Sequence, residues 1–598
     1  MSKEEYSTII NEIENLPQGG ISYKKINGKE YAYYQWRENG KQRSRRVKDD
    51  ELELLTNQIS RRKELQNILK NNNIAVKITP QSTYNFHCAI RIGDELDRFV
   101  KPVKDWKKRQ CYHQLYDYVY SDIQDKVFIL YGLRRTGKTT IIRQLISDMD
   151  REMRNRTVFI QMQDKKTLAD INQDLKYLES KGYKYIFIDE VTLLDDFIEG
   201  AALFSDVFAA SGMKIILSGT DSLGFIFAEN EELYDRCIRV HTTFIPYREF
   251  ENVLGICGID NYICYGGTMS LSGNHYNNYS TIFSTKKSTD EYVDSAIARN
   301  IQHSLKNYQY ANHFRSLKEL YDKNELTSAI NRIVEDINHR FTLEVLTENF
   351  KSHDLQISAK NLRKDRENPT DILDQIDIAQ VNKMLKELLE IRDREDQFVE
   401  ITDAHRKEIK EYLDLLDLTV EIENRWMTDY NKKEMRTVFS QPGMRYSQAE
   451  ALISSLMQDD KFRDLSLSER KRVTQRILDE VRGRMMEDII LLETKIAKKD
   501  CEVFRLQFAV GEFDMVVFNP NEGNCQIYEV KHSNKIVLQQ CKHLLDTEKL
   551  KETEFRYGPI TGKYVIYRGK NALLKDVVKN IEENVSYLNV EEYLKQLS

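Results

Sequence analysis

Residues 127–140 read VFILYGLRRTGKTT, an apolar strand running straight into Gly132-Leu-Arg-Arg-Thr-Gly137-Lys138-Thr139. Strand, G-x-x-x-x-G-K-[ST] loop and amphipathic helix follow in the order that a phosphate-binding loop requires. The glycines let backbone N–H groups wrap around phosphate oxygens, and the helix behind aims its positive end at them. Arg134, Arg135, Thr136 and Thr140 complete the loop and the first helical turn. Lys138 is suited to neutralise β- and γ-phosphates, and the Thr139 hydroxyl to hold Mg²⁺. The pattern also arises by chance, so its partner decides. That partner is YIFIDE at 185–190, four residues of a buried strand and then Asp189 and Glu190. Asp189 is suited to bind the metal through water, and Glu190 to orient or deprotonate the attacking water. A strand that merely ends in two acids leaves the order and spacing of the two motifs unexplained. Together they predict a site that binds and hydrolyses ATP.

Around this stretch, 598 residues are too many for one core and imply several domains. At 40% hydrophobic and 31% charged, the composition is that of a soluble globular protein, without the long apolar run of a membrane span. The start, MSKEEYSTIINEIENLP, lacks the basic-then-apolar layout of a signal peptide. Eight scattered cysteines form no C-x-x-C pair, which predicts reduced core thiols and a cytoplasmic location. A net charge of −6 carries no global sign of nucleic-acid binding, so any such surface is local.

The N-terminal 70 residues are such a local exception. GGISYKKINGKEYAYYQWRENGKQRSRRVK predicts three strands joined by turns at Asn27-Gly28 and Asn39-Gly40. Residues 20–48 hold nine Lys/Arg against two Glu, interleaved with Tyr23, Tyr31, Tyr33, Tyr34 and Trp36. Basic charge with aromatics is what a nucleic-acid surface needs. The alternative is a small solvated sheet with aromatics as its core. A charged helix over 49–71 follows.

From 100 to 250, strand candidates at 127–131, 157–161, 185–188 and 214–217 alternate with helical segments, which predicts a parallel sheet covered on both faces. The stretch 250–480 reads as mostly helical. It contains a polar loop at 270–289, an exposed connection at 360–371, amphipathic segments at 378–391 and 404–417, and then TVEIE at 419–423. In the C-terminal 120 residues, GEFDMVVF (511–518) and CQIYEVKHS (525–533) are two apolar strands joined by NPNEG. Alternation puts Glu529 and Lys531 on one face, and Asp514 reaches that face across the hairpin. Two carboxylates that bind Mg²⁺, with a lysine beside them, suit attack of water on a phosphodiester. Glu487, on the preceding helix, can complete the metal shell. The alternative is a hairpin whose acids and lysine form surface ion pairs.

GLRRTGKTT, IFIDEV, ILSGT, YDR and PYREF resemble the archaeal-type P-loop ATPases of the AAA/STAND relatives, as does IDNYICYGGTM (259–269). The chain departs from that pattern at Met269, where proline is usual, and at Asp235, where glycine precedes the arginine. The resemblance implies that Ser218 or Thr220 senses the γ-phosphate and that Arg236 or Arg239 acts as a sensor or trans-acting arginine. It also implies a winged helix in the middle of the chain. The D-(x14)-E-x-K hairpin resembles the PD-(D/E)XK restriction-endonuclease-like fold that those ATPases carry at their C-termini. That likeness implies a polar residue such as Gln539 or Gln540 beside the centre.

The expected fold class is therefore α/β and multidomain. It comprises a β-meander plus helix at 1–75, a P-loop AAA-type ATPase core at 100–250, a helical lid at 251–345, a helical region with a winged-helix outline at 346–475, and a nuclease-like domain at 480–598. The expected cofactors are ATP and Mg²⁺, and the expected partner is DNA, with RNA as an alternative. Homo-oligomers occur among AAA relatives, whereas STAND relatives stay monomeric until triggered. Two function classes follow: an ATPase that gates DNA cleavage, or a signalling or scaffold ATPase whose nuclease-like domain only binds nucleic acid or a partner.

Overall fold

The computed structural model describes residues 12–13, 16–26, 29–38, 41–71, 84–163, 165–242, 244–268, 297, 301, 305, 314–351, 401–429, 432–460, 466–577 and 584–597. The chain divides into two compact units, Met1–Phe86 and His87–Ser598. In the first, β1 (Gly20–Ile26), β2 (Lys29–Glu38) and β3 (Lys41–Arg46) form an antiparallel meander, followed by the helix Asp49–Asn71. The helix lays Leu52, Leu55 and Ile59 on Ile21, Ala32 and Tyr34. Both expected Asn-Gly turns lie outside the described residues.

The second unit is built on two sheets. The first contains β4 (Ala89–Arg91), β5 (Val127–Tyr131), β6 (Thr157–Gln161), β7 (Tyr185–Asp189), β8 (Lys214–Gly219) and β9 (Cys237–His241), in the order β4-β6-β7-β8-β5-β9. All neighbours are parallel except β4, which runs antiparallel to β6. β5 and β8 are buried along their whole length, as expected of central parallel strands covered on both faces. The sheet has two strands more than the four expected, and it begins before residue 100. β4 is too short to show a period; buried Asp174 pins it by accepting the His87 and Cys88 N–H groups at 3.1 and 2.9 Å.

The second sheet contains β10 (Thr419–Trp426), β11 (Lys433–Phe439), β12 (Glu502–Gln507), β13 (Glu512–Asn519), β14 (Asn524–Lys531), β15 (Ile560–Tyr567), β16 (Ala572–Leu573) and β17 (Ser586–Asn589). Its order is β11-β10-β12-β13-β14-β15-β17-β16. This corrects the winged-helix expectation and the boundary at 475–480. β10 pairs antiparallel with β11 and parallel with β12, so TVEIE extends the C-terminal sheet and is not the strand of a separate domain. A strand's own sequence specifies its alternation but not its neighbour. The expected features at 270–289, 360–371 and 378–391 lie outside the described residues.

The helix Leu467–Ala497 joins the two halves, starting at a Ser466/Glu469 capping box. One continuous apolar cluster runs from Phe244, Ile245 and Tyr262 through Val481, Met485 and Ile489 to Val530, Ile566 and Leu594. Gly267 shows how tightly the halves meet: its φ is +102°, and a Cβ there would lie 2.5 Å from the Gln441 Cα. No helix among the described residues is long and apolar enough to cross a membrane. All eight cysteines are free; Cys88, Cys525 and Cys541 are buried, whereas Cys257 is exposed.

Candidate functional site

The first site lies where β5 ends. Gly132 has a φ of +135°, and a Cβ there would meet the Thr242 carbonyl oxygen at 2.3 Å, so the loop passes β9 in a conformation only glycine adopts readily. Gly137, at φ 92°, turns the chain into the helix Lys138–Asp148. Buried Lys138 donates from Nζ to the Gly132 and Leu133 carbonyls, both at 2.8 Å. Burial pushes its ammonium down to about 8, against the opposing pull of Glu190 and Asp189. The Thr139 hydroxyl donates to Asp189 Oδ2 at 2.8 Å, and Ser218 donates to the other Asp189 oxygen. Thr136 and Thr140 are buried, Arg135 takes a φ of 65°, and Arg134 is exposed.

Glu190 sits at a φ of 56° just after β7. Its Oε2 accepts from the Thr220 N–H at 3.3 Å and the Thr220 hydroxyl at 3.1 Å. Burial, with Asp189 beside it, pushes the carboxyl above the usual carboxylate range. The two sensor candidates therefore separate: Ser218 serves Asp189, and Thr220 holds Glu190. Arg236 does not join the site. It precedes β9 at the opposite end of the sheet, where its carbonyl accepts from Val127 N and its guanidinium pairs with Asp206 at 2.9 Å. Arg239 lies mid-strand, level with Ile129, and pairs with Glu229. The arginines follow the family's order in sequence, but a parallel strand entering from the far end carries Arg236 away from the loop.

Sequence reading missed the brace under the loop. Buried Arg109 donates from Nη1 to the Thr136 carbonyl at 2.6 Å, and its Nε pairs with Glu249. Thr242 Oγ1 lies 3.0 Å from Thr136 Oγ1 and donates to the Tyr131 carbonyl at 2.8 Å. Glu249 belongs to PYREF, so the motif was visible but its partner was not.

The second candidate centre lies on β13 and β14. Met515 pairs with Tyr528, which brings Asp514 level with Glu529. Asp514 Oδ2 accepts from Val530 N at 2.7 Å and from Lys531 Nζ at 3.0 Å; Lys531 also donates to Glu529 Oε2 at 2.6 Å. Asp514 and Glu529 are buried, and Glu529 Oε1 has no hydrogen-bond partner. Burial opposes ionisation of Asp514, but Lys531, Arg505 and the Val530 N–H outweigh it and hold the carboxyl down to about 2. Burial pushes Glu529 well above the carboxylate range, more than Lys531 pulls it back. Two buried carboxyls, one with an unpartnered oxygen, suit a hard divalent cation, whose charge would ionise Glu529.

Glu487 lies near Asp514, and burial raises its carboxyl, but Arg484 holds its Oε2 at 2.6 Å with Arg505 at 3.7 Å. Among the described residues, no three acidic, imidazole or thiol groups converge as a ready-made metal shell. Gln539 is exposed, and Gln540 is tied to Val537 and Lys535 in a local turn, so neither reaches the centre. Residues that the motif did not announce lie close by. His532 meets Asp260 at 2.8 Å, Arg568 pairs with the same Asp260, and Lys549 meets His543 at 2.6 Å.

Residues 124–251 match a family described as an AAA domain. Residues 2–56 match a family described as a domain of unknown function (DUF6788). None of the curated proteins compared with the chain matches it. The AAA match falls on β5 to β9 and the loop described above, and it supports ATP binding and hydrolysis by this part of the chain.

Proposed function

We propose that the chain couples ATP hydrolysis at the Lys138 loop to Mg²⁺-dependent cleavage of DNA at Asp514, Glu529 and Lys531, in genome defence or mobile-element maintenance. The observation that carries the cleavage reading is the Lys531 ammonium held between two buried carboxyls, with Glu529 Oε1 unpartnered. In the ATPase part, the loop N–H groups and Lys138 bind the phosphates, and Thr139 and Asp189 would hold Mg²⁺. Glu190 accepts the proton of the attacking water, and Thr220 orients Glu190. At the second centre Asp514 and Glu529 would hold Mg²⁺, which when bound polarises the phosphodiester and acidifies its water. Lys531 stabilises the charge that develops on the phosphate.

Contacts between the two halves support coupling. The Tyr247 N–H, at the head of the PYREF helix, donates to Glu493 Oε1 at 2.8 Å. Asp260, on the next helix, holds His532, the residue after Lys531. Both contacts would feel a movement of the segment that braces the loop.

Cleavage of labelled DNA, with and without ATP, tests the proposal. Asp514→Ala and Glu529→Ala should abolish cutting while leaving the ATPase rate nearly intact. Lys531→Ala should keep metal binding and lose most of the rate. Mg²⁺ or Mn²⁺ should support cutting, and Ca²⁺ binding alone. A wild-type protein that cuts no linear, nicked, branched or single-stranded DNA, nor RNA, under any nucleotide condition sinks this reading. The second reading, a scaffold ATPase with a nuclease-like domain that only binds, would then stand. It is favoured by the Arg484 and Arg505 contacts that occupy Glu487.

A further inference from the structure

The meander of the first unit has two unlike faces. The register pairs Ser22 with Tyr33, Lys24 with Tyr31, Tyr33 with Arg46 and Gln35 with Ser44. Alternation therefore puts Ser22, Lys24, Tyr31, Tyr33, Gln35, Ser44 and Arg46 on one face, while Ile21, Ala32 and Tyr34 lie under the helix on the other. The aromatic residues thus divide: Tyr34 belongs to the core, and Tyr31 and Tyr33 belong to the open face. On that face the Arg46 guanidinium lies 3.9 Å above the Tyr31 ring and the Lys24 ammonium 5.1 Å from the centre of the Tyr33 ring. The rings are covered by cations, so they are not platforms for unpaired bases; they hold the two charges in place above the sheet. Further along the same face, past Tyr33, Gln42 donates to Gln35 at 3.3 Å, giving amides of the kind that read base edges beside the two charges. No described residue of this face is a carboxylate.

We propose that this face docks in the major groove of duplex DNA, with Lys24 and Arg46 on phosphates and Gln35 and Gln42 toward the base edges. The dimensions fit: three strands about 4.8 Å apart span roughly 10 Å, and the groove is about 12 Å wide. The inference rests on the reading above only for the class of partner. It gives the chain a DNA contact distinct from the Asp514 centre.

The test is fluorescence anisotropy of a labelled 24-base-pair duplex with the full chain in EDTA, where no metal-dependent cut occurs. Two phosphate contacts, each adding about 0.9 to the salt slope, correspond to roughly 30-fold in affinity at about 0.15 M salt. The Lys24→Gln/Arg46→Gln protein should bind the duplex about that much more weakly, with a salt slope shallower by about 1.8. Its ATPase rate without DNA should be unchanged. Lys104→Gln/Lys107→Gln, which removes two exposed charges elsewhere, should bind as wild type. Wild-type affinity in the first variant overturns the proposal, as does equal weakening in the second. Equal competition by a single strand of the same sequence also overturns it, because a single strand has no groove. Failure here leaves the cleavage reading intact, and a protein that binds but never cuts leaves this face standing.

Discussion

Arg109 and Glu249 meet beneath the phosphate loop with side chains 6% and 7% exposed, so the pair is out of water. Arg109→Met keeps the bulk and removes three interactions: the pair with Glu249, the bond to the Thr136 carbonyl and a longer one, 3.4 Å, to the Phe244 carbonyl. Breaking a buried pair from one side costs about 3–5 kcal/mol, because one charge is left without its counter-charge. Glu249 still accepts from Gln110 N at 3.2 Å, which places the loss toward the lower end. Only part of this falls on nucleotide binding. The charged bond to the loop carbonyl contributes about 1.5–3 kcal/mol, or roughly 10- to 150-fold in Kd if the loop must be ordered to bind. Titration with a fluorescent ATP analogue reads the affinity, and thermal melting of the same samples reads the stability. The double variant Arg109→Met/Glu249→Leu separates the two effects. Removing both charges should return most of the lost stability, whereas affinity should stay low because the Thr136 carbonyl still lacks its brace. A folded Arg109→Met protein that binds within threefold of wild type refutes the brace. So does a double variant that recovers affinity along with stability.

Three further outcomes follow from the geometry. Lys138 carries its charge below a pKa of about 8, so raising the pH from 7 to 9 should weaken nucleotide binding by the free protein about tenfold; a Kd flat across that range contradicts the buried ammonium. Glu190→Gln should keep ATP binding and lower turnover by about 10²- to 10⁴-fold, since an amide orients water without taking its proton; equal hydrolysis would remove Glu190 from its role. Glu493 is buried, and burial raises its pKa to about 7. The folded state therefore holds that proton more tightly than the unfolded chain, and stability falls as pH rises from about 4.5 to 7, by roughly 3 kcal/mol in all. Glu493→Gln should remove this slope, so the wild-type midpoint should drop more than the variant's between pH 5 and 8. Identical drops would show that Glu493 is not the titrating group.

The two halves of the second unit are held by contacts that no local pattern encodes. Tyr247 reaches Glu493, Ile259 N donates to Glu591 at 3.1 Å, and Lys595 pairs with Glu251 at 2.8 Å. Each joins the segment after β9 to an element more than two hundred residues later. The motifs by themselves predict an ATPase part and a nuclease-like part. Each sheet keeps an apolar cluster of its own, and a further cluster running from Phe244 to Val530 and Leu594 packs between them, so a change at the loop brace has a packed route toward β14.

The amino-acid sequence by itself determined whatever depends on neighbours a few residues apart. Alternation specified the strands of the N-terminal meander, and the helix over 49–71 has those limits in the structure. Apolar runs specified β5 to β8, and glycine spacing specified the loop that bends back over β9. The D-(x14)-E-x-K spacing sufficed to bring Asp514, Glu529 and Lys531 together, because a hairpin converts sequence separation directly into register. Tertiary structure decided everything that depends on which element lies beside which. It put Arg236 at the far end of its sheet, gave β10 to the C-terminal sheet, surrounded Glu487 with arginines, and set Arg109 under Thr136. A period of 2 or 3.6 tells a segment which face to bury, but not the partner against which it is buried. That choice is made by the packing of the whole core.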